Sequence, residues 1–314
     1  MGCSCSLINS QKKNTIKKDY KIILEWKTDK IIEHYHWWPM KENINDSYAN
    51  NLYSKDGGLF KYDLLFNTKS NIYQKNNFYF EPNSLNSNSN WSGFCDKAAI
   101  LSCLYKYPKY NVVVEYNNQQ IEFKKHDIEA LMIVSADNAI NKNISLFFGE
   151  RNYNNKYNEP YPSDLIEIFK IIASSNEPFI IDIDNTKAVW NFSYDSIKIH
   201  EYDYCKLEHT KPEKGITKYY NFIIKSTAYP NYNIDIWGYI NTIVFNEDYN
   251  ITKQNQKWIS KNHPDFIWKT NPKTTYWEGK SKINPEIDSS ITYLIYRHSL
   301  QNNNQILNIN NYNK

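Results

Sequence analysis

The chain has 314 residues, room for one large domain or two small ones, and its 41% hydrophobic and 16% aromatic content is enough to build a core, which excludes wholesale disorder. The net charge is +3, and all but two of the 37 basic residues, Arg151 and Arg297, are lysines, so the arginine-rich basic stripe of a dedicated nucleic-acid binder is missing. Five cysteines, two of them within the first five residues, make no disulfide framework, no apolar run nears the roughly 18 residues that span a bilayer, and no secretory h-region is visible. A reduced compartment is therefore expected. Asn occurs 44 times, a bias that thins the weight of any single Asn or Lys.

The first six residues, Met1-Gly2-Cys3-Ser4-Cys5-Ser6, fit an acylation signal in which Gly2 takes a myristoyl chain. One such chain binds membranes only marginally, and Cys3 and Cys5 stand where palmitoylation supplies the second anchor. Lys12, Lys13, Lys17 and Lys18 add a basic cluster, each worth up to about 1 kcal/mol near an anionic leaflet. Residues 1–20 thus read as a lipidated tether outside the fold, with the cytoplasmic face of a eukaryotic membrane, the organism's own or a host's, as the expected location. A chance match of a short pattern is the plain alternative.

Residues 22–26 are expected to form a first strand. The segment His34-Tyr35-His36-Trp37-Trp38-Pro39-Met40 is dense in aromatics and ends on a proline. Residues 68–90 read as a long loop. From Cys95 to Tyr105, Phe94, Ala98, Leu101 and Tyr105 recur at helical spacing, predicting a buried helix that opens at the cysteine. A β-hairpin follows over 111–123, then a helix with Asp127 near its N-cap, then one from Ser163 through Ala173 with Leu165, Ile168, Phe169 and Ile172 on one face. Residues 179–184 form a strand carrying Asp182 and Asp184. The rest reads as β-rich, over 189–206, 217–226, 231–246 and 291–299, before an Asn-rich tail, 301–314, expected to fray. Helices first and strands later predict an α+β fold, placed as a single domain over 21–300.

Cys95 carries the strongest chemical signal. A cysteine in the first turn of a helix faces the positive end of the macrodipole, which favours the thiolate. Gly93 lets the backbone turn, and amides at a helix start can form an oxyanion hole. Packing as a small hydrophobe is the alternative for any buried cysteine.

In order along the chain stand His36-Trp37-Trp38-Pro39, Gly58 with Lys61-Tyr62-Asp63, Trp91-Ser92-Gly93-Phe94-Cys95, Pro108, the Asp127-Ile128-Glu129-Ala130-Leu131 helix, Ile181-Asp182 leading to Val189-Trp190-Asn191, Pro264-Asp265-Phe266-Ile267-Trp268 and Asn284-Pro285-Glu286-Ile287-Asp288. With these landmarks, over roughly 34–300, the sequence resembles the transglutaminase-elicitor family of oomycete and bacterial papain-like transglutaminases. The resemblance implies a papain/transglutaminase-like cysteine-enzyme fold, with the nucleophile at a helix N-terminus and a β-rich C-terminal half. It also implies a membrane-anchored acyltransferase in which a thiolate attacks a protein glutamine carboxamide and an amine or water accepts the acyl group. Cys95 is then the nucleophile and Asp182 the acid that orients an imidazole. Trp91 and Trp190 line the substrate tunnel, and Asn191 is a lesser polar candidate.

The pattern departs from the family at one point: 163–181 holds no histidine where the relatives carry their base. His126 keeps the order Cys, His, Asp, but also reads as a solvent-exposed residue, and His36 belongs to the aromatic segment. The base therefore stays open between them. Two other readings remain, a catalytically impaired pseudoenzyme that binds a partner protein and a cysteine protease or deamidase. No metal, cofactor or nucleic acid is expected; the partners are a protein substrate or binding partner and the membrane surface.

Overall fold

The computed structural model describes residues 20–40, 52–78, 93–136, 144–150, 159–183, 189–204, 215–245, 248–250, 255–270, 277–301, 305–310 and 312. Gly2, Cys3 and Cys5 of the acylation signal, Trp91 and Asp184 lie outside the described residues. The elements are β1 (Tyr20–Lys27), α1 (Gly58–Phe66), α2 (Ser70–Phe78), α3 (Cys95–Leu104), β2 (Val112–Tyr116), β3 (Gln119–Phe123), α4 (Lys125–Ser135) and β4 (Ile144–Gly149). They continue with α5 (Pro162–Ser175), β5 (Phe179–Asp182), β6 (Asn191–Tyr194), β7 (Ser196–Tyr202), β8 (Ile216–Lys225), β9 (Ile234–Phe245) and β10 (Asp248–Asn250). The last are β11 (Gln256–Trp258), β12 (Phe266–Thr270), α6 (Ser289–Ser299) and β13 (Leu307–Asn308). The architecture is mixed α+β. By its contacts the chain divides into two compact units, one of Met1–Ile32 with Leu146–Lys269, the other of Glu33–Ser145 with Thr270–Lys314.

The first unit is strand-rich. Its larger sheet runs β1-β7-β8-β9-β10 with β11 also on β9, and its smaller one runs β4-β12-β5-β6. Alternation decides what each face buries. Ile197 and Ile199 of β7 stand opposite Ile224 and Phe222 of β8, and Phe222 opposite Ile236 of β9, all five in one core. α5 adds Leu165, Ile168, Phe169 and Ile172 to that core, the stripe expected from its sequence. Pro162 stands in its first turn, where the missing N–H costs nothing, and Asp164 accepts the Tyr161 N–H at 3.0 Å.

The second unit is built around α4. Ile128, Leu131, Met132, Ile133 and Val134 are completely buried, and beyond its first turn this helix is buried on nearly every side. Each such side chain is worth roughly 1.5–3 kcal/mol in burial. α1, α3 and α6 pack on α4, and a three-stranded sheet, β13-β2-β3, completes the unit. α1 approaches closely because it starts on Gly58: a Cβ there would lie 2.6 Å from the Asp127 carbonyl oxygen. In the hairpin, Asn117 and Asn118 take φ of 48° and 62°, the two left-handed residues of a tight two-residue turn.

Three expectations are corrected. Residues 291–299 form α6, not a strand, because Asp288 caps them through Ser290 N (2.8 Å) and Ile291 N (3.3 Å). Ile291, Ile295 and Tyr296 then share one buried face. The expected loop 68–90 contains α2, whose first amides, Ser70 N and Asn71 N, donate to the Asp63 carboxylate on α1 at 2.6 and 2.9 Å. Asp127 stands near the N-cap of α4 as expected, as its third residue, and accepts the Lys124 N–H at 2.8 Å. In the tail, β13 pairs in parallel with β2 and buries Leu307 and Ile309 instead of fraying.

Candidate active site around Cys95

α3 opens at Cys95, with Phe94 as its cap residue and no side chain capping it. The cap is built from backbone. Phe94 N–H donates to the carbonyls of Trp37 (2.7 Å) and Trp38 (3.2 Å), and an antiparallel bridge pairs Pro39 with Gly93. Two segments far apart in sequence, the 36–39 aromatic strap and the 93–95 turn, thus form one structure. Gly93 is required there. A Cβ at this position would sit 2.1 Å from the Cε3 of Trp37, inside the indole ring.

Trp38 takes φ of 39°, a left-handed conformation that bulky residues avoid. It is 2% exposed and meets the His36 ring edge-on at 5.6 Å. Backbone of this kind stores on the order of 1–3 kcal/mol and persists only where the surroundings over-determine it, which happens most often at functional sites. Cys95 itself is 8% exposed. The first amides of α3 have no carbonyl to bond within the helix, as at any helix start. Lys97 is nearly buried in the same turn, with its Nζ 3.1 Å from Asp96 Oδ2.

The strap is held from behind by Glu129 on α4. Its Oε1 accepts the His36 N–H at 2.5 Å and its Oε2 accepts the Tyr107 hydroxyl at 3.1 Å. The carboxyl is 1% exposed, and that burial pushes it up to about 8, against the opposing pull of the His36 amide, the Tyr107 hydroxyl and the Trp38 side chain. The sequence reading assigned Glu129 no role. Its signal was a lone acid inside the apolar run 128–134.

The two histidine candidates are placed differently. His36 sits in the strap, one residue before the carbonyl that receives Phe94 N–H, with its ring against Trp37 at 5.9 Å. His126 stands in the first turn of α4, its Nε2 3.5 Å from Asp127 Oδ1, in a cluster where Lys61 pairs with Asp127 at 2.5 Å. Burial pulls the His126 imidazole below its ordinary range, Asp127 raises it, and Lys61 and Lys124 lower it further.

Asp182, Trp190 and Asn191 belong to the strand-rich unit, whereas Cys95, His36 and His126 belong to the helical one. Asp182 is fully buried at the end of β5, opposite Asn191 on one side and Phe266 on the other. Its Oδ1 accepts the Trp190 N–H at 2.7 Å, and its carbonyl accepts Asp265 N–H at 3.2 Å. Asn191 Oδ1 accepts the Trp268 indole N–H at 2.9 Å. The same unit holds a polar pair to which the sequence gave no role. His263 Nε2 lies 3.4 Å from Glu159 Oε2, with the imidazole stacked on Trp258 at 5.5 Å. Burial lowers this imidazole and raises its carboxyl partner.

Among the described residues no group of three or more His, Cys, Asp and Glu side chains is arranged to hold a metal, and no helix is long and apolar enough to cross a membrane. No protein family, curated protein or solved structure matches the chain.

Proposed function

We propose that the protein is a cysteine-dependent protein-glutamine acyltransferase of transglutaminase type, with a papain-like arrangement around Cys95. The observation that carries this reading is the strained strap: a buried Trp38 in left-handed conformation, with the 37–38 carbonyls bonded to Phe94, the residue that caps the cysteine's helix. A cysteine that only filled space would need no such bracket.

In the reaction, the Cys95 thiolate attacks the carboxamide carbon of a protein glutamine. The C–S bond forms while the carbonyl electrons move onto oxygen, where the first amides of α3 receive the charge. The oxyanion collapses, the C–N bond breaks and the nitrogen leaves as ammonia after taking up a proton. An amine then attacks the thioester, forming an isopeptide bond and returning the thiolate; water in place of the amine gives glutamate. A protonated thiol of pKa about 8.5 is a poor nucleophile, so a base that accepts its proton is required. His36 is favoured over His126 for that role, because backbone pairing carries the His36 segment to the Cys95 turn while His126 is engaged with Asp127. The acylation signal at Gly2, Cys3 and Cys5 would hold this chemistry at a membrane surface.

Incorporation of a labelled primary amine into a glutamine-bearing protein, wild type against Cys95→Ala, tests the activity. Signal in the wild type alone supports it. Equal background in both leaves a membrane-held binding module, and Cys95-dependent ammonia release without amine incorporation makes the enzyme a deamidase. The anchor is tested separately: Gly2→Ala should shift the protein from membrane to soluble fractions, and unchanged fractionation would remove that part of the proposal.

A further inference from the structure

We infer that Glu129 is a positioning residue for Cys95: its carboxyl clamps the 36–39 strap to α4 and so fixes the turn from which the cysteine's helix starts. The inference rests on reading Cys95 as the nucleophile, and it adds the element that holds that nucleophile in place.

The links are continuous. Glu129 Oε1 binds the His36 N–H at 2.5 Å; the next residue, Trp37, receives Phe94 N–H on its carbonyl at 2.7 Å; Pro39 bridges Gly93; and Cys95 follows as the first residue of α3. The far side of the carboxyl is fixed as well. The Tyr107 hydroxyl donates to Oε2, and the Tyr107 ring packs edge-on to Tyr35 at 5.5 Å, whose own hydroxyl donates to the Lys106 carbonyl at 2.7 Å. α4 is the most deeply buried helix of its unit, so the clamp is mounted on a part that does not give.

An acid at this position is expensive, because its neighbours at 128 and 130–134 are apolar and water is excluded. A residue serving only the core of α4 would be a leucine or methionine. What a carboxyl gives here is two oxygens on one rigid plane, one accepting from the strap and one bonded to the Tyr107 hydroxyl. The strap needs such an anchor because Trp38 is strained: without it, the backbone at 37–38 can relax out of the left-handed region and the Phe94 bonds loosen.

The test is the rate at which iodoacetamide alkylates Cys95, read by peptide mass spectrometry on the folded full-length chain, with Cys103 of the same helix as internal reference. In Glu129→Leu the released strap should uncover Cys95 and raise its alkylation about tenfold, a change equivalent to 1.4 kcal/mol, while Cys103 stays within about twofold. Amine incorporation should fall in the same variant. Glu129→Gln, whose amide oxygen still accepts the His36 N–H, should restore both readouts to near wild type. A purely structural role would move Cys95 and Cys103 together and would gain nothing from glutamine; either result overturns the inference. If Glu129→Leu does not fold, Glu129→Asp decides, since its carboxyl is withdrawn by one methylene: Cys95 alkylation at the wild-type rate would overturn the clamp. Should the wild type incorporate no amine at all, the acyl-transfer reading fails while the alkylation comparison still judges the clamp.

Discussion

Two buried carboxyls, Asp182 in the strand-rich unit and Glu129 in the helical unit, do similar bonding for different ends. Each accepts one backbone N–H, from Trp190 at 2.7 Å and from His36 at 2.5 Å. Asp182 sits in a ladder, with Asn191 and Phe266 opposite it on neighbouring strands, and register alone brings its partners. Glu129 reaches from a helix to an irregular strap that includes a left-handed tryptophan. A carboxyl in a ladder completes a structure that the strands already specify. A carboxyl that restrains a strained segment does positional work, and that segment abuts the only described turn that starts a helix on a cysteine.

This contrast can be broken at several levels. The largest effects should come from the two cores. Phe222→Ala in the strand-rich unit is expected to cost about 3–5 kcal/mol and Leu131→Ala in the helical unit about 2–5 kcal/mol. Hydrogen exchange should localise each loss to the unit that carries the change. Next is Gly93→Ala, where the new Cβ must displace the Trp37 ring, at a cost of roughly 1–3 kcal/mol in urea melts and a changed Cys95 alkylation rate. Wild-type alkylation in Gly93→Ala would show that the strap does not govern the cysteine.

The third effect is a pH dependence. Folded Glu129 holds its proton up to about 8, whereas the ordinary value is 4.5, so between these values the folded chain carries a proton that the unfolded chain has released. Stability therefore falls as pH rises through that window, at a limiting slope of about 1.4 kcal/mol per pH unit from this group. Glu129→Gln cannot titrate and should lack the slope, so the difference between the two proteins in denaturant midpoint should narrow or reverse toward pH 8. A difference that stays constant with pH would contradict the placement. The smallest effect should be Asp288→Ala, about 1 kcal/mol from the lost cap of α6, with no change at Cys95.

Local chemistry made part of this legible in the sequence. The helix start at Cys95, the Asn117-Asn118 turn and the apolar stripe of α5 follow from spacing and turn residues within a few positions. Features that depend on distant partners did not. α2 is capped by Asp63 of another helix, and α6 is decided by the Asp288 cap and by burial of Ile291 and Ile295. β13 exists because β2 offers it an edge. At the site, Cys95 and Gly93 were visible, but their pairing with the 36–39 strap was not, since about 55 residues of chain separate the two segments and only the fold joins them. Glu129 was visible as an acid among apolar residues, and its meaning came only with its two partners.

The central claim is that Cys95 forms the acyl-enzyme. It is tested most directly by incubating the protein with a glutamine-containing peptide, quenching in acid and mapping Cys95 by mass spectrometry. The account predicts an adduct on Cys95 equal to the peptide less ammonia, which is discharged by an added primary amine and is missing in Cys95→Ala. An unmodified Cys95 across a panel of glutamine peptides, in protein whose Cys95 still alkylates, would contradict it.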